Sequence, residues 1–387
     1  MRHLVPIISL MLAAGAGADT YIVRPDGTGN FPTIQAAVDA ALDGDVIELS
    51  DGVFIGPGNR DIDYLGEAVT IRSQSDLPEV CVIDCEGSPA DEHRGFIFQS
   101  GEGPESGLED VTITNGFIAS GEWPLNAGGG ILCRLESSPT ISKVIFEGNT
   151  GLVGGGGMEC TGGSSPSLSA CRFLDNKAPD DAAGAEGTFV SSSHFVDCEF
   201  YGNSALRGGC VYSTFSSLEF ERCRFDGNVA QVSGGVWYSS THDIGVLSNC
   251  TLLGNQAPVG SAISSGGGHL TISDTIIAFN LVGDAVHCSG GSVEAACCDI
   301  YGNTGGDWTG CIADQLGNDG NISQDPLFCD PEVHDFTLGS DSPCVPENNP
   351  ECGLVGAWPV GCGGPSAVER TTGLIKGRFR GSRLSRP

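Results

Sequence analysis

The stretch CRFLDN at residues 171–176 sets the pattern of this chain, because it returns as CEFYGN at 198–203, CRFDGN at 223–228 and CTLLGN at 250–255. In each copy an apolar residue is followed by asparagine three positions later. The pairs with this spacing are Phe146 and Asn149, Phe173 and Asn176, Phe200 and Asn203, Phe225 and Asn228, Leu252 and Asn255, Ile277 and Asn280, and Ile300 and Asn303. Successive asparagines are 27, 27, 25, 27, 25 and 23 residues apart, which predicts a repeat architecture.

The residues between the turns predict strands. They are short segments rich in Val, Ile, Phe, Thr and Ser that alternate with a period of two, as in SLEFERCRF at 217–225. A unit of about 25 residues with three short strands and Gly/Asn turns is one coil of a parallel β-helix, with strands of successive coils about 4.8 Å apart. The predicted fold is therefore all-β, a parallel β-helix solenoid of about ten coils.

The two ends depart from the repeat. PTIQAAVDAALDGD at 32–45 predicts a helix with Thr33 as N-cap, which would cover the open end of the solenoid. Its apolar face would comprise Ile34, Ala37, Val38, Ala41 and Leu42. From Cys329 the chain is rich in proline and cysteine, which predicts a C-terminal cap held by some pairing of Cys329, Cys344, Cys352 and Cys362. The predicted divisions are a signal peptide at 1–18, an N-terminal cap and first strands at 19–68, coils at 69–328, a C-terminal cap at 329–362 and a basic, disordered tail at 363–387.

The N-terminal residues predict export. Arg2 and His3 precede an apolar run from Leu4 to Ala14 and a small-residue cleavage site at 16–18, as in a secretory signal peptide. The 17 cysteines then suggest disulfides, and their odd number leaves at least one outside an intramolecular pair. No other stretch could cross a bilayer, so we expect a soluble, secreted or cell-surface protein.

The net charge of −31 excludes nucleic acid and anionic membranes as partners of the body of the chain. Polyuronates would also be repelled unless calcium bridged the two surfaces. The preferred interpretation is a surface charge that keeps an extracellular protein soluble.

The repeats at 108–303 resemble bacterial secreted proteins with the right-handed parallel β-helix of the pectate-lyase-like superfamily. DPLFCDPEVHDFTL at 325–338 is similar to a closing segment common in these proteins. The resemblance covers residues 20–362 and implies the fold, without an assigned activity. Many enzymes of this superfamily act on carbohydrate, which by analogy keeps a carbohydrate-directed enzyme open.

PDGTGNFPTIQAAVDAA at 25–41 also resembles the opening of pectin methylesterases. The catalytic motifs of that family are missing. GFIFQ at 95–99 has Gly95 where the esterase has an aspartate, and QDPLF at 324–328 lacks the Thr-Leu that follows the other one. No catalytic residue is therefore assigned, and the similarity is attributed to a shared N-terminal cap.

The repeated cysteines are expected in the core. Aligning the coils places Cys171, Cys198, Cys223, Cys250 and Cys298 at one inward position, with the apolar residue two places on beside it. Stacked cysteines could form disulfides, although their parallel directions would strain them. Zinc is disfavoured because there is no CxxC pair or cysteine–histidine cluster. The asparagines are interpreted as a turn ladder that bonds from coil to coil.

The outward residues beside the cysteines are the first candidate site. Arg172, Glu199 and Arg224 follow cysteines on three successive coils, so Glu199 should lie between two arginines. Asp197 should likewise lie beside Arg222. These residues form either cross-strand charge pairs or an acid–base site of a polysaccharide lyase or hydrolase.

Exposed aromatic residues are the second candidate. Aligning the coils on their glycine pairs predicts that Leu132, Glu159, Val211 and Trp237 point outward, and Tyr201 is predicted to be outward as well. Trp237 and Tyr201 are thus candidate sugar-binding residues. NKAPDDAAGAEG at 176–187 carries Asp180, Asp181 and Glu186, which could bind Ca²⁺ but match no EF-hand, so a solvated acidic loop is preferred.

Two functions remain open. The favoured one is a non-catalytic protein that binds extracellular polysaccharide or cell-surface glycans, because no family catalytic motif survives. The alternative is a polysaccharide lyase, hydrolase or epimerase with a site on an outer groove. That alternative requires one concave face that gathers three or more carboxylates with an arginine or lysine. The best candidates for such a face are Asp197, Glu199, Asp226 and Arg224.

Overall fold

A computed structural model describes residues 18–182, 184, 186–333 and 335–363. Within this part of the chain, nearly all regular structure is β. The strands of a ten-stranded sheet are Gly52–Phe54, Cys81–Asp84, Thr112–Thr114, Ile145–Glu147, Arg172–Leu174, Glu199–Tyr201, Arg224–Asp226, Thr251–Leu253, Ile276–Ala278 and Asp299–Tyr301. The strands of a seven-stranded sheet are Phe117–Ile118, Thr150–Gly151, Lys177–Ala182, Ser204–Arg207, Val229–Ser233, Gln256–Ala257 and Leu281–Val282.

An 18-stranded sheet supplies the remaining walls of the coils. Its strands are Thr20–Val23, Val46–Leu49, Ile62–Asp63, Thr70–Ser73, Phe96–Phe98, Gly107–Glu109, Ile131–Cys133, Thr140–Ser142, Met158–Thr161, Ser167–Ser169, Glu186–Phe189, Ser192–Val196, Val211–Thr214, Ser217–Glu221, Trp237–Ser248, Ile263–Ser273, Val286–Cys288 and Ser292–Ala296. The strand pairings within the three large sheets are parallel, so each strand stacks on the equivalent strand of the next coil. The solenoid has about 13 turns over the described chain, slightly more than the ten expected.

The interior is built from the repeated residues, as the sequence predicts. Phe173 stacks on Phe146 with 4.3 Å between ring centroids and on Phe200 with 4.9 Å, and both contacts are nearly parallel. Cys171 and Cys198 are fully or almost fully buried beside this row. The stacked cysteines Cys171, Cys198, Cys223, Cys250 and Cys298 carry free thiols. Burial raises the pKa of Cys298 to about 12, so this thiol packs as a neutral, small apolar group.

The asparagines form a continuous buried ladder, which confirms their interpretation as turn residues. The side-chain amide of Asn176 donates to Oδ1 of Asn203 at 3.0 Å, and the backbone N–H of Asn176 donates to the same oxygen at 3.1 Å. This pattern repeats from Asn149 to Asn303, where Asp307 accepts the last bonds. Because every amide is paired, these polar side chains can be fully buried.

A short helix at Ile34–Val38 covers the N-terminal end. Thr33 is its N-cap and accepts a hydrogen bond from the N–H of Ala36 at 3.2 Å, as predicted. Ile34, Ala37 and Val38 are buried, but Leu42 is 65% exposed and does not belong to the apolar face. The helix ends at Val38, and the N–H of Leu42 donates to Asp45 in the following turn, which directs Leu42 outward.

The C-terminal segment lies along the outside of the solenoid. Its strands Phe328–Asp330, Asp335–Gly339 and Val360–Cys362 form a small sheet. It packs on outward residues of the ten-stranded sheet such as Leu253 and Ile276. Over the described residues, the 3₁₀ turns are Pro78–Val80, Gly310–Ile312 and Pro331–Val333.

The disulfides differ from the expected pairing within the segment. Cys329 pairs with Cys362, whereas Cys352 pairs with Cys297 on a coil and Cys344 is free and buried. A third disulfide joins Cys288 to Cys311. The bond from Cys352 to Cys297 therefore fastens the segment to the solenoid itself.

Candidate functional site

The outward row beside the cysteines has the predicted register. Arg172 pairs with Glu199 and Glu199 with Arg224 on adjacent strands of the ten-stranded sheet. Nε of Arg172 lies 3.7 Å from Glu199, and its Nη1 lies 3.1 Å from Glu79. Asp197 and Arg222 also form the expected pair, at 2.8 Å. At about 40% exposure, such pairs contribute little to stability.

Arg224 is not an exposed binding residue, which corrects the sequence prediction. Its guanidinium lies 4.5 Å from the ring centroid of Phe336 and 5.0 Å from that of Trp358, both in the C-terminal segment. Its Nη2 lies 2.6 Å from Asp226, whose side chain is 1% exposed. The segment therefore covers two of the four residues proposed for an enzyme site, and these four side chains do not form an accessible cleft.

The neighbouring coils remain uncovered. We name the outer side chains of Arg172, Leu174, Glu199 and Tyr201 the open window of the ten-stranded sheet. Tyr201 is 39% exposed, as predicted. Burial, Asp226 and Asp175 raise the pKa of its hydroxyl, in that order, so Tyr201 is neutral and can act as a hydrogen-bond donor.

Trp237 points inward, so its assignment as an exposed platform is wrong. It is 1% exposed, and its indole Nε1 donates to Ser213 at 2.8 Å. Trp237 pairs with Val211, whereas Glu159 belongs to the adjacent row. Gly245 makes room for the indole, because a Cβ there would lie 2.0 Å from its Cη2 atom. Trp237 is therefore part of the core.

The residue after Trp237 is the outward one. Tyr238 stacks on Tyr212 of the preceding coil at 5.4 Å, and the Arg207 guanidinium lies 5.9 Å from the Tyr238 ring centroid. Both tyrosines are partly exposed. The glycine-pair alignment is one residue out of register between coils, and alternation along CVYST at 210–214 does not reveal this, because Cys210 and Val211 are both buried and the alternation begins only at Val211.

A second group of aromatic side chains lies at the adjoining corner of the coils. Trp123 contacts Phe189 edge-on at 5.1 Å, Phe189 contacts Phe215 at 6.2 Å, and Phe215 stacks on His242 at 5.4 Å. We name Trp123, Phe189, Phe215 and His242 the corner surface. Its members are exposed, with Phe215 at 51% and Trp123 at 44%. Sequence reasoning missed this surface because its members come from different loops and repeats.

The loop that carries Trp123 is firmly anchored. Glu92 accepts hydrogen bonds from the N–H groups of Ala119 and Ser120, at 2.9 and 2.8 Å. Arg94, which is 5% exposed, donates to the carbonyls of Leu125 and Ala127. Burial lowers the pKa of Arg94 to about 10, so the guanidinium remains charged at neutral pH. These bonds position the loop before any ligand arrives.

Glu159 is a buried acid in the same row of strand positions as Tyr212 and Tyr238. It was predicted to be exposed, but it is 3% exposed and accepts a hydrogen bond from the N–H of Gly155 at 2.9 Å. Gly154 and Gly187 leave it room, because a Cβ at either would lie within 2.5 Å of its carboxylate. Leu132 and Val211, which were also predicted to be outward, are likewise buried. Burial raises the pKa of Glu159 to about 7.

Metal binding finds no support among the side chains that the structure describes, where no group of three or more His, Cys, Asp or Glu is placed to hold an ion. The side chains of Asp180, Asp181 and Glu186, for which the sequence favours a solvated acidic loop over Ca²⁺ binding, lie outside that part. Asp243 is buried, and burial raises its pKa despite hydrogen bonds from Ser213, Ser216 and Ser240. The ring of its neighbour His242 stacks on Phe215 in the corner surface.

Residues 67–277 match the sequence profile of the family described as "Right handed beta helix region". The match covers more than half of the chain, so this protein belongs to the right-handed β-helix family. No curated protein matches the sequence.

Among solved structures, the chain is similar to the pectate lyase Pel9A, with a TM-score of 0.52 and 14% identity over 89% of this chain and 97% of that one. A GH136 lacto-N-biosidase from Eubacterium ramulus matches with a TM-score of 0.40 and 11% identity over 74% of this chain and 67% of that one. A mannuronic acid specific family 6 polysaccharide lyase from human gut microbiota matches with a TM-score of 0.37 and 12% identity over 90% and 92%. At this identity the likeness to Pel9A shows the fold alone, a parallel β-helix.

Proposed function

We propose that this is a secreted or cell-surface β-helix protein that binds extracellular glycans without transforming them, and that the corner surface is its binding site. The observation that carries the proposal is the contiguous row of exposed rings from Trp123 to His242. Exposed apolar side chains of this size rarely cluster without a partner, and aromatic rings are suited to the apolar faces of sugars. The anchored loop adds preorganisation, because Trp123 need not be ordered on binding.

The proposed location rests on the N-terminal residues, whose pattern is that of a signal peptide, and on the three disulfides. In the described residues, no helix is long and apolar enough to cross a membrane. A glycan partner is also in keeping with the likeness to the pectate lyase Pel9A, although the fold alone assigns no function.

The test is a glycan array with the full chain, followed by titration of each hit against the variants Phe215→Asn and His242→Asn. Both residues have positive φ, 53° and 57°, where asparagine is tolerated, so the rings are removed without new backbone strain. We expect at least a tenfold weaker Kd for each variant. Tyr201→Asn in the open window is the matched control and should bind as the wild type does.

Three results would overturn the proposal. The first is an array without hits, and the second is unchanged binding by both corner variants. The third is release of reducing sugar or unsaturated uronide from any polysaccharide, with or without Ca²⁺, since that would make the protein an enzyme.

A further inference from the structure

The open window is bounded by two segments that cover the rest of the ten-stranded sheet. On the earlier coils, residues 74–80 lie over the face, and the hydroxyl of Thr112 donates to the carbonyl of Pro78 at 2.7 Å. On the later coils, the C-terminal segment covers Thr251, whose hydroxyl accepts the N–H of Ala357 at 2.9 Å. Between these segments, the two strands that carry Arg172 and Glu199 keep partly exposed outer side chains, which leaves a gap about 10 Å wide at the usual spacing of strands.

The floor and rim of the window suit an extended chain that carries positive charge. Tyr201 and Leu174 provide a partly apolar floor, and Trp358 stands at one edge over Arg224. Carboxylates surround this floor. Glu79 and Glu199 share Arg172, while Glu147 and Asp175 lie close enough that Glu147, after burial, raises the pKa of Asp175.

Cations near the window are fewer than acids. Lys177 lies close enough to Asp175 to oppose part of the rise in its pKa, whereas Arg224 is engaged with Asp226 and Arg222 with Asp197. The four carboxylates at 79, 147, 175 and 199 therefore face two cations, Arg172 and Lys177. Over residues 18–363 the imbalance is much larger, with 48 acidic and 11 basic residues and a net charge of −37.

Residues 364–387 have the opposite charge. GPSAVERTTGLIKGRFRGSRLSRP contains six basic residues and one acidic residue, a net charge of +5. Its second half also places apolar side chains, Ile375, Phe379 and Leu384, between the cations. This combination matches a window with a carboxylate rim and a partly apolar floor.

The basic segment begins close to the window. Cys362 pairs with Gly339, three residues along the strand from Phe336, which contacts Arg224 at the edge of the window. The separation is therefore about 10 Å along the strand. A chain of 24 residues can extend about 80 Å, so reach does not limit the contact.

We propose that residues 374–386 of this chain occupy the open window as an intramolecular ligand, with their arginines on the carboxylate rim and Phe379 against Tyr201. This contact would cover Arg172, Glu199 and Tyr201. The corner surface, which is not part of the ten-stranded sheet, would remain free for glycans. Because the contact depends on charge across a solvated face, it weakens as ionic strength rises.

The sequence provides a sharp test, since Lys376 is the one lysine of the basic segment and the body has two more, Lys143 and Lys177. The full chain is treated with a carbodiimide, which joins an amine to a carboxylate in contact with it, and the linked peptides are mapped by mass spectrometry. We expect monomeric products in which Lys376 is joined to Glu79, Glu147, Asp175 or Glu199. Their yield should fall at least fivefold in 1 M NaCl.

The variant Arg378→Gln/Arg380→Gln/Arg383→Gln removes three positive charges and keeps Lys376. We expect it to give at least a fivefold lower yield of cross-links between Lys376 and the window carboxylates. The control Thr371→Gln/Thr372→Gln/Ser385→Gln makes as many substitutions to glutamine at constant charge and should link as the wild type does. The proposal is overturned if Lys376 links equally to acids on other faces or to none. Linkage only between two copies overturns it too, as does sedimentation of the chain with anionic vesicles without window linkage.

Discussion

Arg172 and Arg224 occupy the same position of the same repeat, yet their surroundings differ. Each lies between a buried cysteine and a buried phenylalanine, in the identical tripeptide CRF. The Arg172 side chain is 41% exposed and shares two carboxylates, whereas that of Arg224 is 12% exposed under Phe336 and Trp358. The repeat decides that both point outward. The C-terminal segment, which is not part of the repeat, decides which of them meets solvent.

The comparison separates two levels of organisation. Side-chain direction is local, because alternation along a strand and register between coils set it. Exposure is not local, because it depends on a segment more than 100 residues away that is fastened by the bond between Cys297 and Cys352. A ligand could therefore reach this face only on coils whose outer side chains the covering segments leave exposed.

The largest expected effect is that of removing a core phenylalanine beneath either arginine. It tests whether the core contributes equally to stability at the two coils. Phe173→Ala and Phe225→Ala should each lower the free energy of unfolding by about 3–5 kcal/mol, because each ring is fully buried and stacked on its neighbours. Guanidinium chloride unfolding followed by circular dichroism measures both. A difference above about 2 kcal/mol between them would show that the covering segment also changes the core.

Next in size is the difference between the arginines. Arg224→Ala should lower the free energy of unfolding by about 3 kcal/mol, because it leaves Asp226 buried without its cation and removes two aromatic contacts. Arg172→Ala should change it by less than about 1 kcal/mol. The same unfolding assay measures both. Equal effects would contradict the inference that the segment creates the difference.

The fold could be predicted from the sequence because the same pattern of residues recurs in many coils. Phe173, Asn176 and their equivalents each reappear with the same spacing, so a single misplaced residue changes nothing. The register along the ten-stranded sheet was also readable, as the pairing of Arg172 with Glu199 confirms.

The glycine-rich strands offered no such redundancy. Gly208 and Gly234 have positive φ, and the strands that follow them begin one residue away from the position that the glycine alignment predicts. The alignment therefore assigns Trp237 to the outward position that Tyr238 occupies. The corner surface was hidden for another reason. Trp123 contacts Phe189 from a loop that is positioned by the buried Arg94 and by Glu92. No local sequence pattern predicts these contacts.

A smaller effect is expected on the covered coils, where the free energy of unfolding should depend on pH. Asp299 is fully buried in the outer row near Cys344, and burial raises its pKa to about 7, against about 3.9 in an unfolded chain. The folded state thus keeps a proton that the unfolded state releases, so this group lowers stability as pH rises from about 4 to about 7. Asp299→Asn should therefore be more stable than the wild type at pH 8, by about 1–3 kcal/mol, and similar at pH 4.

Urea unfolding at the two pH values measures this difference between wild type and variant. Glu159 titrates in the same range and direction, so the comparison must be made at each pH and not from the wild-type slope alone. Glu159→Gln provides a second, separate case, and the two gains should add. A pH-independent effect of Asp299→Asn would mean that this carboxyl is ionised in the folded protein.

The smallest expected effect lies on the uncovered coils. Asp197→Asn breaks the pair with Arg222, in which both side chains are about half exposed, and should lower the free energy of unfolding by about 0.2–1 kcal/mol. Since Asp197 has a φ of 56°, which asparagine tolerates, the backbone contributes little to the change. The effect should shrink further in 0.5 M NaCl, whereas that of Arg224→Ala should persist because a covered pair is screened less. If salt reduced both effects equally, the burial of Arg224 beneath the C-terminal segment would not explain its difference from Arg172.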